Sequence, residues 1–213
     1  MRRNKKEDIS REELAKVIKN LKRGKAAGED GLTTEFIKGL PAIWLIEMHE
    51  ILNGFWKEGK VGNGWGKARI YPMHKGGEEE DTGNYIGVSL LDIGYKLLTT
   101  IMHRRLRAWL EKKGLIRESQ AGFREGRSTR DHVFVLNSTI NNKLKREGGK
   151  LYGIFVDFQK AFDTVDRNIL IGKLKKIRIR GRMLRMLEEI CGKTVNEVIT
   201  GQGITEFLYN KSG

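Results

Sequence analysis

The sequence predicts a mixed fold of helices and strands, an α/β (α+β) protein. Three observations predict it. Apolar residues recur with the helical period in several stretches, whereas residues 67–72 alternate with the period of a strand. Residues 151–156 form an apolar run of strand length after the turn signal Gly148-Gly149. The length of 213 residues predicts one domain or one and a half.

Net charge and cysteine content bound the function. Lys and Arg number 41 against 27 acidic residues, a formal charge of +14, which favours a polyanionic partner such as nucleic acid. A solvated basic surface is the alternative. The single cysteine, Cys191, excludes an internal disulfide and favours a reducing intracellular compartment, nucleus or cytoplasm. No apolar run approaches the roughly 20 residues that span a bilayer, so no membrane partner is expected.

The first part of the chain predicts helices. Ser10 opens a capping box, and the helix after it should stop at Gly24. Residues 25–31 predict a tight turn. A further helix is expected from about Thr34 onward, and its core face should comprise Trp44, Met48, Ile51, Leu52 and Phe55.

A basic ribbon and a basic helix follow. Residues 67–72 and 84–91 predict two strands, and Lys67 and Arg69 project from one side of the first. Such cations suit phosphate groups, although charges that protect an exposed sheet edge are the alternative. The amphipathic helix predicted over residues 93–113 carries further cations, which include Arg104 and Arg105.

Residues 119–131 combine two glycines, an aromatic side chain, three arginines and several hydroxyls. This composition is typical of a nucleic-acid contact loop, with Arg124 and Arg127 on phosphates and Phe123 against a base or sugar. The alternative is a basic loop that Ser128 or Thr129 caps into a helix over residues 130–147.

The apolar run 151–156 predicts a buried strand that ends in one carboxylate, Asp157. A strand can hold such a carboxylate rigidly where it binds a metal ion, and a salt-bridged or capping aspartate is the alternative. Asp166 is the expected N-cap of the next helix. The remaining residues predict a helix near 182–190 and a hairpin of residues 194–200 and 204–209.

Several motifs resemble those of reverse transcriptases of non-LTR (LINE-type) retrotransposons. FVDFQKAFDTV (155–165) resembles their first catalytic motif, and QAGFREGRSTRDH (120–132) the motif before it. KAAGEDG (25–31) is similar to their N-terminal extension, and WGKARIYPMHKGG (65–77) with NYIGVSLL (84–91) to their fingers. Group II intron reverse transcriptases match less well. Order and spacing agree over nearly the whole chain.

The resemblance implies a partial right-hand polymerase fold. Residues 1–60 would form a helical N-terminal extension, residues 61–148 the fingers, and residues 149–213 the start of the palm. The implied partners are an RNA template, a DNA primer and dNTPs. The implied cofactor is Mg²⁺, two ions in the intact site, with Mn²⁺ as a substitute.

The resemblance also implies residue roles. Asp157 and the backbone carbonyl of Phe158 would bind metal, whereas Asp163 would be structural. Phe162 would lie under the incoming sugar and exclude a 2′-hydroxyl. The other implied contacts are Lys75, Arg124 and Arg127 for the nucleotide, and Lys67, Arg69, Phe123, Arg104 and Arg105 for nucleic acid.

Departures from the family pattern qualify these roles. Ile86 stands where an arginine is usual, so an expected cation at the nucleotide phosphates is missing; Gly76 and Ala27 replace a usual lysine and proline. In the family, a glycine-rich motif and a Tyr/Phe-x-Asp-Asp turn follow, and the turn supplies two further carboxylates to the metal site. Neither motif occurs in the sequence. We therefore expect a fragment that is inactive alone. A non-catalytic module that binds RNA or an RNA/DNA duplex, or a chain that does not fold stably, are the alternatives.

Overall fold

The computed structural model describes residues 8–62, 64–65, 67–158, 161–162, 164–192, 195–200 and 203–208. The chain divides into two compact units. The core unit comprises Met1–Arg104 and Asp166–Gly213, and the insert unit comprises Arg105–Val165. Each is described by itself.

The predicted α/β class is confirmed. Among the described residues, three helices precede a first pair of strands and four helices precede a second pair, with a short 3₁₀ turn at Thr82–Asn84 between the first two strands. The elements are α1 (Arg11–Lys19), α2 (Thr34–Lys38), α3 (Ala42–Glu58), β1 (Lys67–His74), β2 (Tyr85–Leu90), α4 (Ile93–Lys112), α5 (Thr129–Leu144), α6 (Arg167–Lys176), α7 (Gly181–Gly192), β3 (Val195–Thr200) and β4 (Gly203–Leu208).

Local capping sets the start of α1 but not its predicted end. The Ser10 hydroxyl accepts a hydrogen bond from the Glu13 amide at 3.1 Å, as predicted. The helix ends at Lys19, five residues before Gly24. The ammonium of Lys38 explains the early end, because it donates to the carbonyl oxygens of Lys19 and Leu21 at 3.0 and 2.7 Å. Those carbonyls therefore need no further helical turn.

The apolar core of the core unit is formed by side chains of α1, α3, α4 and α7, which pack against one another. Its fully buried side chains include Leu52 of α3, Leu97 and Ile101 of α4, and Met186 of α7. Burial of these side chains contributes about 1.5–3 kcal/mol each to folding.

The predicted core face of α3 was partly wrong. Trp44 and Ile51 are both more than half exposed, whereas Leu52 and Trp56 are buried. The buried face is rotated because Asn53 is also inside. Its amide accepts from the Ile9 backbone N–H at 2.8 Å and donates to the Ile9 carbonyl at 2.9 Å. A buried asparagine with both amide groups paired holds the chain segment before α1.

One four-stranded sheet, in the order β2-β1-β3-β4, belongs to the core unit. β1 pairs antiparallel with β2, which confirms the predicted ribbon, and β3 pairs antiparallel with β4, which confirms the predicted hairpin. The parallel pairing of β1 with β3 joins them, with Arg69 opposite Glu197. This pairing connects segments more than a hundred residues apart, which the sequence pattern did not reveal.

The buried strand predicted over residues 151–156 is wrong. The segment has no strand assignment, and Ile154 and Phe155 are 91% and 85% exposed. A strand forms only where a neighbour pairs with its backbone, and none of the described strands does so here. Apolar side chains of α5 are also largely exposed: Val133 and Leu144 are each 56% exposed.

Candidate nucleotide and nucleic-acid site

The loop between α4 and α5 is organised by one arginine. The Arg124 guanidinium donates to both carboxylate oxygens of Glu111, from Nε and from Nη2, at 2.9 Å each. Its Nη1 donates to the Arg117 carbonyl at 3.1 Å. These hydrogen bonds lower the pKa of Glu111 and raise the pKa of Arg124. Arg124 thus fixes the loop onto α4.

This arrangement bears on the role predicted for Arg124. The Arg124 side chain is 8% exposed, and its donors point to Glu111, Glu118 and backbone carbonyls. A direct contact with a nucleotide would require this pair to open. Nucleotide binding by Arg124 stays a prediction, and the described geometry makes Arg124 a positioning residue for the loop.

Arg127 occupies a more open position in the same loop. It pairs with Glu118, whose side chain is 77% exposed, while Arg127 is 41% exposed. Exposed ion pairs of this kind contribute little to stability, so Arg127 can exchange Glu118 for a phosphate. The loop ends where the Asp131 carboxylate accepts from the Ser128 amide at 2.7 Å, which confirms Ser128 as the predicted helix cap.

Two predicted site residues meet in the insert unit. Phe123 and Phe162 lie with ring centroids 5.9 Å apart and ring planes at 83°, an edge-to-face pair. Both rings are exposed, by 78% and 79%. Phe123 also has a left-handed backbone, with φ of 62°. That conformation costs a bulky residue about 1–2 kcal/mol, so the loop holds an exposed aromatic ring at a strained position.

Asp157 lies in the exposed segment five residues before Phe162. Its carboxylate and the Phe158 carbonyl are hard oxygen donors of the kind that Mg²⁺ accepts. Within the described part of the chain, however, no group of three or more His, Cys, Asp or Glu side chains could hold a metal ion. The oxygen donors fit one edge of a metal site and do not complete it. Asp163 and Lys160, also in the motif, fall outside the described residues.

The two ribbon cations share one buried acid. Lys67 Nζ and Arg69 Nε each lie 3.4 Å from a different carboxylate oxygen of Glu197 on β3. Glu197 is buried, so these cations compensate a charge that would otherwise be costly there. Arg69 also approaches Glu29, at 3.6 Å from Nη2. Contacts of Lys67 and Arg69 with nucleic acid stay predictions beside this structural role.

The remaining predicted cations lie apart in sequence. Lys75 follows β1, is exposed, and closes the ribbon through its backbone N–H, which donates to the Asn84 carbonyl at 2.9 Å. Arg104 and Arg105 are partly exposed on α4. Ile86, the departure on β2, is 45% exposed opposite Met73.

The motif at residues 25–31 has a structural use that the sequence did not reveal. The Asp30 carboxylate accepts from the Ile93 N–H, the first of α4, at 2.9 Å. In return the Asp92 carboxylate accepts from the Asp30 N–H at 3.0 Å. A Cβ on Gly28 would lie 2.4 Å from the Asp92 nitrogen. We call this contact the α4 clamp; its signal is the Gly-x-Asp spacing, but its partner lies 62 residues away.

Comparison with known sequences identifies the class of protein. Residues 73–210 match the family described as reverse transcriptase (RNA-dependent DNA polymerase). The chain belongs to the reverse transcriptase family. Members of this family use divalent metal ions and bind an RNA template, a primer and dNTPs.

The relatives are proteins of non-LTR, LINE-type transposons. The chain is 32% identical over 78% of its length to the probable RNA-directed DNA polymerase from transposon BS of Drosophila melanogaster, and covers 18% of that protein. It is 31% identical over 79% of its length to the RNA-directed DNA polymerase from mobile element jockey of the same species, and covers 18% of that protein. It is 29% identical over 80% of its length to the retrovirus-related Pol polyprotein from type-1 retrotransposable element R2 of Popillia japonica, and covers 22% of that protein. The chain thus spans about a fifth of these relatives. Among its described helices, none is long and apolar enough to cross a membrane.

Proposed function

We propose that this chain forms part of the site in which a non-LTR reverse transcriptase adds dNTPs to a primer on an RNA template. The observation that supports this best is the contact of Phe123 with Phe162. Two separate motifs, both resembling polymerase motifs, each contribute one exposed ring to it. Exposed aromatic faces are the surfaces on which bases and sugars stack.

Phe162 would select the sugar of the incoming nucleotide. A flat ring beneath the ribose leaves no room for a 2′-hydroxyl, so a dNTP would fit and an rNTP would clash. Phe123 would fix the angle of that ring through their edge-to-face contact. Because Arg124 anchors the loop to Glu111, the strained backbone of Phe123 stays in place.

Asp157 and the Phe158 carbonyl would hold a divalent metal ion. When bound, such an ion lowers the pKa of the primer hydroxyl and neutralises charge on the phosphates, the basis of two-metal catalysis. Asp157 would supply the negative charge that places it. Lys75 and Arg127, both exposed, would receive phosphate oxygens, as Lys and Arg do in other phosphate sites.

The division into extension (residues 1–60), fingers (61–148) and start of the palm (149–213) is part of the same proposal. So is an intracellular location. Lys67, Arg69, Arg104 and Arg105 would face the template or primer strand.

The isolated chain should bind a primed template without extending it, because Asp157 alone cannot place two metal ions. The test is a labelled DNA primer on an RNA template with dNTPs and Mg²⁺. We expect binding that weakens steeply with added salt, and no primer extension. Primer extension that the Asp157→Asn variant loses would contradict the proposed inactivity. Absence of binding at low salt would contradict the proposed site.

A further inference from the structure

The turn between α6 and α7 carries an arginine in an unusual conformation. Arg178 has a left-handed backbone, with φ of 69°. Its N–H donates to the Lys175 carbonyl at 3.0 Å, and the N–H of Ile179 donates to the Leu174 carbonyl at 3.0 Å. These two hydrogen bonds define a Schellman motif at the C-terminus of α6, with Arg178 at the position that glycine normally takes.

The rest of the motif holds this arginine outward. Ile179, the next residue, is 5% exposed and anchors the turn in the core unit. Arg178 and Arg180 on either side of it are exposed. Glycine at position 178 would adopt the same backbone at a lower cost. The fold therefore keeps a cation where an uncharged residue would be more stable.

Four cations cluster in this short segment. Lys173, Lys176, Arg178 and Arg180 are all exposed, and none forms an ion pair with an acid among the residues that the structure describes. Their neighbours are neutralised: Lys175 lies 2.7 Å from Glu188, and Arg182 pairs with Asp8. Within residues 173–182, the cations without a described ion pair are thus these four. We name these four residues the basic turn.

We propose that the basic turn binds the phosphate backbone of RNA. Cations at the C-terminus of α6 also interact favourably with its dipole, but this effect does not account for Arg180, which lies beyond the turn, nor for an arginine in place of glycine at position 178. The apolar residues of the turn are withdrawn, since Ile177 is half-buried and Ile179 buried. Stable anchoring to a membrane surface takes a second signal, such as inserted apolar side chains, besides basic residues, so a polyanion fits better. The choice of RNA rests on the proposed function.

The test separates stability from binding through one substitution. Arg178→Gly should raise the midpoint of thermal unfolding by about 2–4 °C, since it relieves the left-handed strain. It should also weaken binding of a labelled unprimed RNA hairpin about fivefold and reduce the salt dependence by about one unit of slope. Arg180→Gln, which leaves the turn backbone unchanged, should weaken RNA binding similarly.

Arg23→Gln is the matched control, because it removes one exposed arginine from the loop after α1 of the same unit. It should change RNA affinity less than twofold. Unchanged RNA affinity in Arg178→Gly and Arg180→Gln would overturn the inference, as would an equal loss in Arg23→Gln. Anionic phospholipid vesicles that bind the chain while the RNA hairpin does not would overturn it too.

Failure here and failure of the proposed function look different. If the basic turn is wrong, both Arg variants keep RNA affinity while substitutions at Phe123 and Phe162 still weaken binding of a primed template. If the proposed site is wrong, the Phe substitutions have no effect while the Arg variants lose affinity for the hairpin.

Discussion

Replacement of Gly28 by alanine should destabilise the core unit by about 3 kcal/mol, from overpacking and the loss of helix capping together. The added Cβ would lie 2.4 Å from the Asp92 nitrogen and 2.5 Å from the Leu91 carbonyl carbon, both backbone atoms. The loop must move away, and the hydrogen bonds between Asp30 and the start of α4 are lost. Chemical denaturation followed by circular dichroism measures the change.

Gly54→Ala is the matched control for this substitution. Gly54 lies inside α3, and nothing stands within 4 Å of its Cβ position. Alanine there should stabilise the chain by about 1 kcal/mol, because glycine is a poor helix former. Asp30→Ala removes the carboxylate of the α4 clamp without adding volume, and should cost about 1–2 kcal/mol. A Gly28→Ala protein as stable as the unchanged chain would show that the α4 clamp does not hold the N-terminus of α4.

The second large effect concerns the aromatic pair. Phe123→Ala and Phe162→Ala should each weaken binding of a primed RNA template by about 5- to 100-fold, the range expected for loss of one stacking ring. The double variant should lose less than the product of the two, because each ring positions the other. Fluorescence anisotropy of a labelled primer–template in the presence of dNTP measures these affinities.

Phe134→Ala provides the comparison. Phe134 lies on α5 in the same unit and is 73% exposed, so its truncation removes a similar ring from solvent. It should leave the affinity within twofold. If all three single variants bind alike, the rings act as general apolar surface, and the site proposed at Phe123 and Phe162 is refuted.

Helix boundaries were predictable where a local signal sets them. Ser10, Ser128 and Asp166 each accept or exchange hydrogen bonds within three residues of chain, so the sequence alone places the helices after them. The end of α1 was not predictable, because Lys38 from another helix determines it. The prediction of the buried face of α3 was partly wrong for the same reason, because Asn53 is held inside by hydrogen bonds to the distant Ile9 backbone.

In the candidate site, too, local sequence predicted some features, whereas contacts with distant residues could not be predicted. The motif at residues 120–132 predicted a role for Phe123, and the motif around Asp157 predicted one for Phe162; both roles stay predictions. Their contact and the left-handed φ of Phe123 required coordinates. The acidic partners of Lys67, Arg69 and Arg124 could not be predicted, because the local sequence of a basic residue does not show whether an acid pairs with it. The apolar run 151–156 misled because strand propensity does not supply a pairing partner.

In the proposed site, Phe123 and Phe162 line the position of the incoming nucleotide beside Asp157. A primer with a photoreactive group at its 3′ end, annealed to an RNA template and irradiated with the protein, tests it directly by mass-spectrometric mapping of cross-linked peptides. We expect cross-links in the peptides that contain Phe123 and Phe162. Cross-links confined to the basic turn, or spread evenly over the basic surface, would contradict it.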